Sequence, residues 1–290
     1  MRSVVTSEPG AEPEEANPAR VYDLLLGGSH HFASDRAFAA TVRAAWPEAA
    51  ETMRANRAFL GRAVRFLTAE AGIRQFLDIG SGLPTMGNVH EVAQQAASDA
   101  RVVYVDNDPV AVQHSRAVLA RTSNVTVVQA DLRHPAEILA SPALRDLLDF
   151  SHPVALLLVA ILHFIRDAED PGAQVAWLRE GLPPGSYLVI SHATGDLQGP
   201  KVASAGEIYA RAMPSFQLRT RAEIREFFGG FDLIDPGLVF IPDWRPDIRQ
   251  GTEKRSQVTA ALRLRDELAS PMEDHHGEVQ YAGRQPWAKG

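Results

Sequence analysis

From residue 75 onward, short apolar runs alternate with longer amphipathic stretches. FLDIG, VVYVD, VTVVQAD, VALLLVA and SYLVISH are separated by segments whose apolar residues recur at helical spacing. Measured at Asp78, Asp106, Asp131, Ala160 and His192, the intervals are 28, 25, 29 and 32 residues. One strand plus one crossover helix takes up such a length, so the repetition predicts an α/β fold with a parallel sheet covered by helices on both faces. The nearly unbroken run VALLLVAIL (154–162) suits a strand buried on both sides.

The preceding segment, 17–74, has a different rhythm and is expected to form a helical N-terminal cap. PARVYDLLL is stopped by Gly27 and Gly28, a second helix runs near Ser34 to Ala45, and a third follows Pro47 with Met53, Leu60, Ala63, Val64 and Leu67 on one face. Residues 1–16 are rich in Pro, Glu and Ala and are expected to be a disordered tail. Residues 75–290 are expected to form one Rossmann-like domain. Its helix starts are marked by Asn88 with Glu91, which has the residue types of a capping box, and by Asp108 before Pro109. Helices are expected at about 201–212 and 221–228, and a strand in FDLIDPGLVFI (231–241). EVQYAGRQP (278–286) reads as a final strand, and the charged, helical-looking stretch around RSQVTAALRLRDELA as an insertion at about 243–276.

Composition narrows the function. The 290 residues are 45% hydrophobic, enough for a full core, and the net charge of −7 with a pI near 5.8 argues against broad neutralisation of nucleic-acid phosphates. A small-molecule partner is expected instead. Cysteine is absent, which removes disulfides, thiolate nucleophiles and Cys-ligated metals. The N-terminus has no signal-peptide core, and VALLLVAIL is too short to span a bilayer, so a cytoplasmic protein with no membrane association is expected. Oligomeric state is not legible.

Ligands of an open parallel sheet bind at the carboxyl ends of its strands. Asp78, Asp106 and Asp131 close the first three runs, so three carboxylates are expected along one edge. A dinucleotide fold needs a third glycine where the pyrophosphate meets bare backbone, but counting from Gly80 that position is Thr85, preceded by Pro84. Gly80 and Gly82, flanking Ser81, still permit close backbone approach, and Asp78 suits a ligand carrying an amino group. S-adenosylmethionine, an adenosine without phosphates joined to an amino acid, has these features.

Asp78-Ile-Gly80-Ser81-Gly82, Asp106 in VVYVDND and Asp131 in QADLR resemble the motifs of the seven-stranded, mostly parallel class I S-adenosylmethionine-dependent methyltransferases. RVYDLLLGG (20–28), HFASDR (31–36), RANRAFLGRAVRFL (54–67), FLDIGSGLPTMGNVHEVAQ (76–94), VYVDNDP (103–109) and SHAT (191–194) further resemble a bacterial family of S-adenosyl methyltransferases first catalogued as a domain of unknown function. The resemblance covers about 18–245 and, more weakly, the expected last strand. It implies a seven-stranded sheet, S-adenosyl-L-methionine as cofactor, Asp106 on the ribose hydroxyls and Asp131 near the adenine amine. Asn107, Leu132 and Ala160 are neighbours in the same expected site, and an N-terminal segment carrying Tyr22 folds over the cofactor. His31 stands where the family often has asparagine.

Methyl transfer from a sulfonium is an in-line displacement in which alignment alone supplies roughly 7–11 kcal/mol, so an obvious base is not required. His163 and His192 follow the fourth and fifth runs and are the candidates for proton transfer, with packing as the alternative role. His30 and His31, like His275 and His276, lack any second ligand cluster, so no metal is expected. The expected activity is O- or N-methylation of a small molecule that the sequence does not name. The alternatives are a non-catalytic sensor of S-adenosylmethionine or S-adenosylhomocysteine and, disfavoured by Pro84 and Thr85, a nicotinamide-dependent oxidoreductase.

Overall fold

The computed structural model describes residues 13–84, 87–196, 207–211, 213–229, 232–247 and 258–264. Five parallel strands form the larger part of the sheet: β1 (Gln75–Ile79), β2 (Arg101–Asp106), β3 (Val125–Gln129), β4 (Ala155–Val159) and β5 (Tyr187–Ala193). Three further strands are β6 (Asp232–Leu233), β7 (Val239–Phe240) and β8 (Val258–Leu264). The order is β3-β2-β1-β4-β5-β8-β6, with β7 also paired to β8. Strand order therefore reverses between β1 and β4, which puts a crevice at their carboxyl ends.

Strand residues alternate between two cores. Phe76, Val102 and Leu157 pack with one helical layer, whereas Leu77, Val103 and Leu156 pack with the other. The first layer contains α3 (Ala49–Ala69), α4 (Val89–Ala96) and α5 (Pro109–Leu119), and the second α6 (Pro135–Ala140), α7 (Pro142–Leu147) and α8 (Pro171–Glu180). Because Asp78 is two residues from Phe76, it faces the α3 layer. The strand ends fall within two residues of the positions expected from the spacing.

The cap is built by α1 (Pro18–Leu26), α2 (Ala33–Ala45) and the N-terminal half of α3. Asn17 caps α1, its Oδ1 accepting from Ala19 N at 2.8 Å, Pro18 fills the first turn, and Gly27 at φ 93° ends the helix. At α4, Asn88 N donates to Glu91 Oε2 at 2.8 Å, as the capping-box spacing predicts.

Two expectations are corrected. Among the described residues the sheet holds eight strands rather than seven, of which five are parallel. The stretch expected as a helical insertion supplies β8, which pairs antiparallel with β5 from Tyr187↔Leu264 to Ala193↔Val258. Without it, β5 would be a long edge with unpaired backbone groups, and covering that edge outweighs the helical appearance of the local sequence. The strand expected at 278–286 and the tail at 1–12 lie outside the described residues. FDLIDPGLVFI forms two short strands, β6 and β7, separated by a turn through Gly237. A short helix, α9 (Arg221–Glu226), precedes them.

Candidate functional site

The carboxyl ends of β1 to β5 open into a cavity of about 340 Å³, roofed by α1 and α3. Its wall includes Tyr22, Asp78, Gly80, Ser81, Gly82, Asp106, Asn107, Asp131, Leu132, Ala160 and His163, which brings every expected site residue except His192 to one place.

The turn after β1 is shaped for close approach. Gly80 and Gly82 have φ of 76° and 63°, and Gly80 N and Ser81 N donate to Val105 O at 2.8 and 3.1 Å, tying the turn to β2. Gly80 has no room for a side chain, whereas at Gly82 the constraint is the positive φ. A Cβ on Gly80 would lie 2.5 Å from Ile161 Cγ1, and one on Gly82 would touch the Ala19 methyl at 3.4 Å. The roof helix α1 thus rests on the glycine turn.

Three carboxylates occupy neighbouring strand ends in different electrical states. Asp78 is buried and accepts no hydrogen bond among the described residues; burial pushes its carboxyl up to about 7, with the Arg57 guanidinium pulling it down and Asp106 pushing it up. Asp106 accepts from Gly82 N at 2.7 Å and from Asp108 N at 2.9 Å, with Asn107 N a further backbone donor toward it, so about one of its roughly four lone-pair positions stays open. Burial raises its carboxyl too, against these backbone donors. Burial alone would raise Asp131, but hydrogen bonds from Arg133 and Asn107 outweigh it and hold that carboxyl at about 2.

Residues that the sequence reading passed over complete the wall. Arg57, on α3, has its Nε buried without a hydrogen-bond partner among the described residues, and its guanidinium stands 5.8 Å from the Tyr22 ring centroid. A chain of hydrogen bonds joins roof to floor: Tyr22 Oη donates to Met53 O (3.0 Å), Asn56 Nδ2 to Tyr22 Oη (3.1 Å), Ser191 Oγ to Asn56 Oδ1 (2.7 Å), and Ala160 N to Ser191 Oγ (3.0 Å). Ala160 is held at φ 58°, a left-handed conformation that this bond supports. Tyr22 is thus a fixed roof residue with its hydroxyl occupied. One signal for Asn56 exists in the sequence, since it interrupts the apolar stripe of α3 between Met53 and Leu60.

The two histidines part company. His163 is 6% exposed, lines the cavity, and its Nδ1 accepts from Ala193 N at 3.3 Å, which puts the proton of the neutral ring on Nε2. Burial, then His192 and Arg219, keep it well below the usual histidine range. His192 is fully buried and off the cavity wall. Its Nδ1 lies 2.7 Å from Ala193 O, and its Nε2 2.8 Å from Arg219 Nη1, so the ring donates at one nitrogen and accepts at the other. The expectation of a proton-transfer role is corrected in favour of packing: with both nitrogens engaged in a structural network, it has none left for a substrate proton. His31 meets Arg36 at 3.3 Å away from the wall, and His30 packs on His114 with ring centroids 3.9 Å apart.

Among the described residues no group of three or more His, Cys, Asp or Glu side chains is placed to hold a metal, and no helix is long and apolar enough to cross a membrane.

A family model described as S-adenosyl methyltransferase matches residues 6–265. Two solved structures are similar over most of their length. A candidate methyltransferase from Thermobifida fusca YX is 41% identical, with 91% of this chain and 100% of that chain covered and a TM-score of 0.85. A DUF574 family protein from Streptomyces avermitilis MA-4680 is 43% identical, with 87% and 98% covered and a TM-score of 0.83. No curated protein matches the chain. The chain belongs to the S-adenosyl methyltransferase family, and its cofactor is S-adenosylmethionine.

Proposed function

We propose that the protein transfers the methyl group of S-adenosylmethionine to a small molecule at oxygen or nitrogen. The observation that carries this reading is the pair formed by Asp78 and Arg57, a buried carboxylate and a guanidinium that share a wall without satisfying each other's hydrogen bonds. Such a pair costs desolvation energy unless a ligand supplies an ammonium and a carboxylate, and the amino-acid end of the cofactor carries both. Asp106 keeps an acceptor position for a ribose hydroxyl, and Leu132 beside Asp131 offers an apolar face with a polar edge for adenine. When bound, the cofactor supplies an electrophilic methyl group on sulfur. The chain's part is to fix that group in a cavity that α1 shields from water, an arrangement in which alignment provides most of the acceleration. The cavity continues past the carboxylates to the ends of β4 and β5, which favours an enzyme over a sensor with a blocked acceptor side.

Two measurements test this. Asp106→Ala removes a hydrogen bond to a charged acceptor, worth about 1.5–3 kcal/mol, so calorimetry should show S-adenosylhomocysteine affinity falling about tenfold or more. Unchanged affinity would remove Asp106 from the ribose site.

The second is a proton count. With its carboxyl at about 7, Asp78 is largely protonated at pH 6 in the free protein, and an ammonium placed beside it favours ionisation. Titrations at pH 6 in buffers of different ionisation enthalpy should therefore show release of about one proton per ligand, fading above pH 8 and absent in Asp78→Asn. Proton uptake, or no pH-dependent exchange, would exclude the ammonium contact. The same raised value means that the folded ligand-free protein binds more protons than the unfolded chain between about pH 4 and 7. Asp78 thus lowers stability as pH rises through that window.

A further inference from the structure

The cavity wall is divided by the order of the strands. Asp131, Asp106 and Asp78 follow β3, β2 and β1, whereas the ends of β4 and β5 contribute His163, Phe164 and Ala193. Adjacent strands are about 4.8 Å apart, so roughly 14 Å lie between Asp106 at the end of β2 and the end of β5, whereas Asp78 on β1 adjoins β4. The half at the ends of β4 and β5 is aromatic. Tyr209 is 6% exposed and lies edge-on to Phe38 (centroids 5.4 Å) and against Phe216 (4.9 Å), which also meets Phe164 (5.7 Å) and His163 (5.5 Å). Trp46 and Met53 close the side nearest the cap. Gln217 N donates to His163 O at 2.7 Å, and Asp167 N donates to Gln217 Oε1 at 3.0 Å, so Phe216 is held on a fixed backbone.

The charged side chains of the wall other than Asp23 are grouped at the carboxylates, and Arg219, whose charge reaches His163 from off the wall, has its donors directed to Asp167, His192 and the carbonyls of Leu162 and Ile165. Arg57 and Arg133 stand beside the carboxylates, and Asp23, on α1, accepts from His30 N at 3.0 Å. A charged guest would lose its hydration in the aromatic half without gaining a partner. The polar groups present are neutral. The Tyr209 and Thr52 hydroxyls and His163 Nε2 have no hydrogen-bond partner among the described residues, although each side chain is at least nine-tenths buried. With Nδ1 engaged by Ala193 N, His163 presents an N–H, so the guest must offer an acceptor atom.

We infer that this half binds an uncharged, flat aromatic molecule bearing a hydroxyl or comparable heteroatom, its ring against Tyr209 and Phe216 and its heteroatom on His163 Nε2–H. The inference rests on the assignment of the carboxylate half to the methyl donor, and it names the class of acceptor that the remaining space takes. His163 acts in it as a hydrogen-bond donor that orients the guest.

Calorimetric titration of the full chain saturated with S-adenosylhomocysteine tests it, with 1-naphthol, sodium 1-naphthoate and the saturated analogue 2-decalol as probes. The naphthol should bind at least about tenfold more tightly than either analogue, since ring contacts and the uncompensated charge each amount to about 1.4 kcal/mol or more. Phe216→Ala should remove that preference and leave S-adenosylhomocysteine affinity unchanged. His163→Phe should abolish the advantage of 1-naphthol over naphthalene, and His163→Gln, which restores a donor, should recover part of it. Equal binding of all probes, a preference for the naphthoate, or no probe binding by protein that takes up S-adenosylhomocysteine normally would overturn the inference and leave the cofactor reading standing. Failure to bind S-adenosylhomocysteine would overturn the cofactor reading first and this one with it.

Discussion

Arg20→Met should lower the stability of the protein by about 3–5 kcal/mol, the usual cost of removing one partner from a buried ion pair. Arg20 is 4% exposed and joins three parts of the molecule: Nε donates to Asp35 Oδ2 at 2.8 Å, Nη1 to Asp108 Oδ2 at 3.1 Å, and Nη2 to Glu15 O at 3.0 Å. Asp35, wholly buried at the start of α2, keeps backbone donors from Asn17 N and Phe32 N, whereas Asp108 caps α5 and loses the one cationic partner it has among the described residues. The larger share of the cost therefore falls on Asp108. Adding Asp108→Asn to Arg20→Met should recover part of the loss in urea denaturation, because it removes the stranded charge and keeps a side-chain oxygen for the cap. A loss below about 1 kcal/mol would mean that water reaches the site and that the cap is not pinned here. Binding should suffer as well. Asp108 is two residues from Asp106 and α1 rests on Gly82, so loosening Arg20 frees the roof and the ribose loop together.

How far the chain discloses this arrangement depends on how local each cause is. The five parallel strands are legible because burial on both faces demands runs such as VALLLV, and their spacing announces a crossover helix each time. Asp78, Asp106 and Asp131 are legible because a carboxylate at the end of such a run has few reasons to be there. Arg57 is not: in an amphipathic helix an arginine reads as solvent-facing, and only the packing of α3 over the end of β1 turns it to the cavity. β8 is hidden for a different reason. VTAALRL lies in charged, helical-looking sequence, and its strand state is imposed by the open edge of β5, far away in the chain. The histidines lie between these cases. Their places after β4 and β5 are predictable, but the hydrogen bond that fixes the His163 tautomer and the Arg219 contact that occupies His192 come from tertiary partners.

The largest effect on binding is expected from Gly80→Ala. Two separate penalties meet at that residue. A non-glycine residue in the left-handed region costs about 1–2 kcal/mol, and forcing a methyl group into a packed site typically costs a further 1–3 kcal/mol. Here Gly80 has φ 76°, and the methyl would sit 2.5 Å from Ile161 Cγ1 and 2.7 Å from its Cβ, so either the turn or the β4 loop must move. The turn carries the Gly80 N and Ser81 N bonds to Val105 O and the Gly82 N bond to Asp106, and the β4 loop carries Ala160 and His163. Movement of either disrupts the cofactor half, and about 3 kcal/mol transferred to binding corresponds to a loss of roughly a hundredfold. The two penalties separate in a double variant. Gly80→Ala with Ile161→Gly, which removes the Cβ as well as the rest of the side chain, relieves the overlap but keeps the strained φ, so S-adenosylhomocysteine affinity should return only part of the way, to within about tenfold of the parent. Full recovery would mean that the left-handed turn is dispensable and the effect was steric throughout. No recovery would put the cause in the backbone of the turn, and normal affinity in Gly80→Ala itself would show that the cofactor does not lie against this glycine.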